Sequence, residues 1–427
     1  MKQESSNQLV EHFFRHEYGN MVSVLTRAFG VSKIGLVEDM VSSAMIEAMN
    51  SWKQNGYPEN PSGWIHRVAR NRILDHLRRE KAHQKAIAFV GTQHPSEVDA
   101  SEGLIEGWFA EDAIADSLLR MMLICCHPAV DQKTQIALTL KILCGFSISE
   151  ISRGLLLSQE AVKKRIQRGK KQLAELNPFF EFPTPSQIQP RMVGVLHTLY
   201  LLFNEGYSTT AGHQSIRDDI CEESTRLCHL ICNDAKLGSP ESNALLALML
   251  FHSARLDART DQLGNSVLLA DQDRSQWDQK LIQAGKYWLI KASSPRPSRY
   301  HFEAVISQFH CVAKTFEDTD WDNVIRFYNE LYRKFPSPVY LVNRAIAKSE
   351  AGQVESAIED IKLAGQSDDL KDYFLLKCAA GHVYEKAGQT KMAIDSFLAA
   401  LSADVPIHQK EILNRRLKRL TSKMESV

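Results

Sequence analysis

FSISEISRGLLLSQEAVKKRIQRGKKQL, residues 146–173, holds two helical signatures separated by a single turn. Ser147 followed by Glu150 has capping-box spacing, and Ile148, Ile151 and Leu155 share one side of the short helix that it opens. Gly154 permits a turn at the end of that helix, and Ser158 is a natural N-cap for a second one starting at Gln159. On the second helix Val162, Ile166, Gly169 and Leu173 form a narrow stripe, while Lys164, Arg168 and Lys171 project from the opposite side with Arg165 beside them. A helix that buries one stripe and offers cations on the other, after a short helix and a tight turn, predicts a helix-turn-helix. In that geometry Ser158, Gln159, Glu160 and Lys163 reach base edges of DNA, and Lys164, Arg165 and Arg168 neutralise phosphates. A charged surface helix in a helical bundle is the competing reading.

A second basic segment lies upstream, in NPSGWIHRVARNRILDHLRRE, residues 60–80. The chain as a whole balances 51 Lys+Arg against 51 Asp+Glu, yet Arg67, Arg70, Arg72, Arg78, Arg79, Lys81 and Lys85 crowd together here. Helical spacing puts Ile65, Val68, Ala69, Ile73 and Leu77 on one broad apolar face, and Arg67, Arg70, Asn71 and Arg78 on the other, interrupted by Leu74. The preceding turn-rich loop offers Ser62 as a helix cap or as a polar group for a ligand, and Trp64 reads as a core anchor. Between Ala86 and Leu119 there is no Lys or Arg, and seven acidic residues accumulate, which reads as an acidic linker between separate modules.

The rest of the chain bounds the class. With 427 residues, 44% hydrophobic and 24% charged, it is ordinary globular material, enough for two to four domains. Periodicity is helical nearly throughout and no sustained alternation suggests a sheet, so the expected fold is all-α. The longest apolar run, Ala244 to Phe251, is far short of a membrane span, and the N-terminus lacks a signal-peptide core, which predicts a cytoplasmic protein. Eight irregularly spaced cysteines fit reduced thiols, and Cys125-Cys126-His127 lacks the second ligand pair of a zinc site, so no metal or cofactor is expected. The carboxylates Asp271, Asp273 and Asp278 have Arg274 as a ready salt-bridge partner and no nucleophile with a base beside it, which argues against catalysis.

The C-terminal part repeats. Gly352, Ala357, Ile361 and Ala364 recur as Gly388, Ala393, Phe397 and Ala400, 36 residues on, and Val324, Tyr328 and Leu331 stand 33 residues before Ala357, Ile361 and Ala364. Small residues recurring at this period let paired helices approach and bury the seam between neighbours.

These segments, taken in order, resemble a known family. VEDMVSSAMIEAMNSW together with the basic segment is similar to region two of extracytoplasmic-function sigma factors, and residues 120–173 to region four. LYLLFNEGYS, ALLALMLFHSAR, LADQDRSQWD, SRYHFEAVISQFH and WDNVIRFYNELYRKFPSPVYLVNRAIA resemble the subgroup whose fused helical extension carries tetratricopeptide-like repeats. The resemblance implies a sigma-70 family factor with region 2 over 1–85, a linker over 86–116, region 4 over 117–182, a helical extension over 190–315 and repeats over 316–427. It also implies that Glu38 and Asp39 dock on core RNA polymerase and that Asn60, Ser62, Arg67, Arg70 and Asn71 engage the minus-ten element. Ser158, Gln159, Glu160, Lys163, Lys164, Arg165 and Arg168 would then read the minus-thirty-five element. Lys163 and Lys164 stand where the subgroup more often has Ala and Gln, implying a larger phosphate contribution to binding. The partners implied are core polymerase and promoter DNA; the extension, more than half the chain and carrying repeats suited to protein binding, is expected to bind a protein partner and to replace a separate anti-sigma protein. Two alternatives remain at this stage: a stand-alone helix-turn-helix regulator, and a repeat-based adaptor.

Overall fold

A computed structural model describes residues 2–87, 111–155, 157–176, 180–207, 218–261, 265–370, 373–403, 405 and 407–425. Among them are eighteen α-helices and no strand longer than one isolated bridge, Thr260 to Ser266. The chain divides into two compact units, Met1–Leu201 and Leu202–Val427.

Unit 1 begins with α1 (Lys2–Phe29), α2 (Ile34–Asn55) and α3 (Pro61–Ile87). Their shared core holds Val22, Leu25, Val41, Ala44, Ile65, Ala69 and Ile73. Leu74, expected to interrupt the outer basic face of α3, is instead only 4% exposed: the helix is turned so that its buried arc runs from Ile73 to Leu74, leaving Val68 and Leu77 half-buried. Asn60 rather than Ser62 caps this helix, its Oδ1 accepting from Gly63 N at 2.8 Å, because the helix opens at Pro61, whose missing N–H costs nothing there. Trp64 packs edge-on against Trp52 at 5.8 Å, as a core anchor would.

The second half of unit 1 contains α4 (Glu111–Cys125), α5 (Gln132–Ile142), α6 (Ile148–Gly154), α7 (Gln159–Leu176) and the start of α8 (Pro185–Tyr207). The helix-turn-helix forms as its spacing predicts. Ser147 N donates to Glu150 Oε2 at 2.8 Å and Glu150 N donates to Ser147 Oγ at 3.2 Å, while Ser158 Oγ accepts from Ala161 N at 3.1 Å. Val162, Ile166, Gly169 and Leu173 are all buried. A Cβ on Gly169 would lie 2.6 Å from Thr134 Cγ2 and 3.0 Å from Leu138 Cδ1, so α7 sits this close to α5 only because that residue has no side chain. Gly169→Val is therefore expected to cost about 2–3 kcal/mol by overpacking, read as a lower midpoint in thermal unfolding of unit 1.

The acidic linker expected over 86–116 falls mostly outside the described residues, but its last part is helical: α4 starts at Glu111, and Asp116 accepts from Arg27 of α1 at 2.7 Å and from Arg120 at 2.9 Å. The two basic segments are packed together. They share one compact unit, and a Cβ on Gly19 of α1 would stand 2.0 Å from the Leu143 carbonyl oxygen, a backbone contact that no larger residue permits. Cys125 and Cys126 are buried, and burial pushes the Cys126 thiol up to about 11 despite its hydrogen bonds with Thr198 and Thr139, as befits packing thiols. Among the described residues no group of His, Cys, Asp and Glu is placed to hold a metal.

Unit 2 is organised around α10 (Pro240–Ser253), whose run from Ala244 to Phe251 is buried on all sides, the pattern of a central helix. It is wrapped by α9 (Asp218–Asn233), α11 (Gln279–Lys291) and α12 (Arg299–Val312). The carboxylates in the turn before α11 work as caps: Asp273 Oδ1 accepts from Ser275 N at 3.0 Å and Asp278 Oδ1 from Lys280 N at 2.7 Å. Arg274, expected to pair with them, donates instead to the carbonyls of His310 at 2.6 Å and Ala313 at 2.8 Å, and stacks 4.4 Å from the Trp277 ring, because the turn points its side chain inward.

Beyond α13 (Trp321–Lys334) come α14 (Pro338–Glu350) with α15 (Val354–Ala364), then α16 (Phe374–Lys386) with α17 (Thr390–Leu401), and α18 (Ile407–Glu425). The second pair repeats the first. Gly352 and Gly388 end the first helix of each pair at φ 78° and 72°, and Ala357, Ile361 and Ala364 match Ala393, Phe397 and Ala400 in burial. Arg344 and Lys348 of α14 hold the buried Asp360 of α15 at 2.6 and 2.8 Å, fixing the pair in register.

Candidate polymerase and promoter interface

The charge on α7 is displayed where the apolar stripe is not. Ser158, Gln159, Glu160, Lys163, Lys164 and Arg168 are exposed, and Arg165 is half-buried with Nη1 3.9 Å from Asp131. Lys164 and Glu160 form a solvent-exposed pair at 3.0 Å, an interaction weak enough for a phosphate to displace. Lys170 does not join this outer row. It reaches inward and forms a salt bridge with Glu38 of α2, a contact with no counterpart in the spacing of either segment.

On α3 and its preceding loop the five predicted residues divide. Arg67 and Asn71 are exposed, and Arg70 is half-buried with Nη2 3.5 Å from Asn71 Oδ1, so these three occupy one outer arc. Asn60 is exposed at the helix start, its side chain engaged by Gly63 N, and Ser62 is half-buried. Beneath them His66 is buried; that burial, followed by the nearby charges of Arg70 and Arg67, pulls its pKa down to about 3, so it is a neutral wedge under a cationic surface. Arg72 faces the other way and bridges to Ser43 and Glu47, tying α3 to α2.

The two carboxylates expected to meet polymerase lie in opposite environments. Asp39 is exposed, whereas Glu38 is 4% exposed and accepts a hydrogen bond from Tyr18 Oη at 3.0 Å in addition to its Lys170 contact. Burial, reinforced by Glu38, holds the Tyr18 phenol protonated well above its usual range, so it donates at every physiological pH. Lys141 Nζ stands 5.3 Å from the Tyr18 ring. Asp39 is instead followed along the outer face of α2 by Ile46 and Met49, 61% and 44% exposed. Sequence reasoning passed over this stripe because an apolar residue at helical spacing reads as core; the signal is that the core positions, Val37, Val41, Ala44 and Ala48, already fill the opposite face.

Comparison with known proteins follows this geometry closely. Residues 13–83 match the model for sigma-70 region 2, residues 120–173 that for sigma-70 region 4, and residues 191–293 a family of unknown function, DUF6596. An uncharacterized protein of Rhizobium meliloti (strain 1021) is 31% identical over 413 residues, covering 95% of this chain and 96% of the relative. No solved structure matches. Among the described residues no helix is long and apolar enough to cross a membrane. Region 2, region 4 and a DUF6596 segment thus follow one another in a single chain that aligns with its relative almost from end to end, and the chain belongs to the ECF-like sigma factors of the sigma-70 family, proteins that bind core RNA polymerase and promoter DNA.

Proposed function

We propose that this sigma factor docks on core polymerase through the outer face of α2, with Asp39, Ile46 and Met49 in the contact, and that it does so only after α7 has swung away from α2. The observation that carries this reading is the Glu38–Lys170 pair: the recognition helix of region 4 is held against the docking helix of region 2 by a contact that is largely buried. The minus-ten and minus-thirty-five elements lie about 25 base pairs apart, or about 85 Å along B-DNA. Regions held together by the Glu38–Lys170 pair, by Arg27 with Asp116 and by the close approach of Gly19 to Leu143 cannot serve both at once, and we read this arrangement as a closed, waiting form that opens when these contacts part. On opening, Glu38 is freed to join Asp39 on polymerase, and Ser158, Gln159, Glu160, Lys163, Lys164, Arg165 and Arg168 meet the upstream element.

The minus-ten element would be met by Asn60, Ser62, Arg67, Arg70 and Asn71, a polar loop followed by a cationic arc suited to holding unstacked bases and their phosphates. The extension acts as the regulator in this scheme. We read its helix pairs, 36 residues apart, as tetratricopeptide-like repeats that supply an interaction surface, and a partner bound there sets the balance between closed and open forms.

Reconstituted transcription tests the promoter half of this reading. Arg67→Ala with Asn71→Ala is expected to lower the yield of open complexes, measured by permanganate reactivity of unpaired thymines, about tenfold or more while leaving affinity for core polymerase unchanged. Unchanged strand opening would remove these residues from the minus-ten contact.

A further inference from the structure

A half-open cavity of about 400 Å³ lies within unit 2, walled mainly by α13, α14, α16 and α18. That is within the volume range of small-molecule sites. Its walls are apolar, with Trp321 and Val324 of α13 and Val342 and Ile346 of α14 among them, and Leu268 contributes from the segment before α11. Polar groups enter it at three places.

At one end stand Glu350, His382 and Arg416. Glu350 is already satisfied, receiving His382 Nε2 and Lys386 Nζ at 2.7 Å each. With its Nε2–H given to Glu350, His382 presents Nδ1 as an acceptor, and Arg416 Nη1 lies 3.3 Å from it. Arg416 is half-buried, stacks 5.7 Å from the Phe397 ring and has no carboxylate partner among the described residues. A guanidinium thus faces an apolar chamber with most of its N–H donors uncommitted. The side-chain amide of Asn343 lines the cavity and makes no hydrogen bond among the described residues. His310 also lines it, with Nδ1 buried without a partner and its ring edge-on to Trp321 at 5.4 Å.

We propose that this cavity is a binding site for an amphipathic carboxylate, with an apolar body lying against Trp321, Val342 and Ile346, its carboxylate on Arg416, and a hydrogen-bonding group on Asn343. The sign of the ligand's charge follows from the pairing already in place. Glu350 is committed to His382 and Lys386, so a cation finds no free carboxylate, whereas Arg416 offers the planar fork that a carboxylate fits bidentately. One uncommitted guanidinium suits a monoanion. Such a group comes either as a free organic acid or as the C-terminus of a peptide, and the two are separable by experiment. The site lies in unit 2 and is tested without polymerase or promoter DNA.

Calorimetric titration of the purified full-length protein decides it. The probes are phenylbutyrate and its amide, and the peptide N-acetyl-Ala-Ala-Leu-Phe with a free or an amidated C-terminus. At least one carboxylate is expected to bind with a dissociation constant below about 1 mM, and its amide at least tenfold more weakly. Binding of phenylbutyrate marks the free-acid source, and binding of the peptide alone marks a protein C-terminus. Arg416→Gln is expected to weaken the carboxylate about tenfold while leaving the amide unchanged, and Ile346→Trp, which fills the chamber, to abolish both; circular dichroism checks that each variant keeps its fold. Equal binding of acid and amide, insensitivity to Arg416→Gln, or no saturable binding by any probe would overturn the proposal.

Discussion

Replacing Lys163, Lys164 and Arg168 together by alanine is expected to lower the affinity of the holoenzyme for promoter DNA roughly a hundredfold at low salt, and to reduce the slope of log affinity against log salt by about 3. The three side chains project from the exposed face of α7, opposite Val162, Ile166 and Leu173, and none of them supports the core. Their loss therefore leaves the helix-turn-helix folded and removes only charge. Each cation displaces a condensed counterion when it meets a phosphate, so the loss shows as a flatter salt dependence that filter binding across a salt series measures directly. Lys163 lies nearest the helix N-terminus and combines a base-edge position with charge. Its single replacement is expected to relax sequence preference more than Lys164→Ala does.

The second large effect concerns the closed form. Lys170→Met is expected to destabilise the α2–α7 contact by about 3–5 kcal/mol, because it leaves the Glu38 carboxylate buried with only the Tyr18 hydroxyl bonded to it. That shifts the balance toward the open form by roughly two to four orders of magnitude. Hydrogen exchange on the full-length protein separates opening from unfolding. Amides of α2 and α7 exchange faster while those of α9 to α12 keep their protection, and affinity for core polymerase rises. Loss of protection throughout unit 1, with no gain in polymerase affinity, would mean that the contact supports folding and does not act as a latch.

Much of this was legible in the sequence for physical reasons. The caps at Ser147 and Ser158 and the stripe Val162, Ile166, Gly169 and Leu173 are local, and local rules fixed α6 and α7 correctly. The repeat period was legible because each helix pair buries the same small residues against its neighbour. What escaped depends on contacts between segments distant in the chain. Glu38 looks like one more acidic residue of an amphipathic helix, and only its meeting with Lys170, 132 residues later, withdraws it from the surface. Leu74 failed for a related reason: α3 is rotated by its packing against α2, through Arg72 with Ser43 and Glu47, so the arc that helical spacing assigns to solvent is partly core. Arg274 was misread because a turn's direction, unlike a helix's period, is not written in spacing.

The most direct test of the central claim is the equilibrium affinity of the purified full-length protein for core RNA polymerase, compared with an Asp39→Lys, Ile46→Glu double variant. Both residues are exposed on α2, so the variant keeps its fold. The wild type is expected to bind at nanomolar concentration and the double variant at least a hundredfold more weakly, since a central apolar contact and an adjacent charge are both reversed. Equal affinities for the two proteins would contradict docking through the outer face of α2.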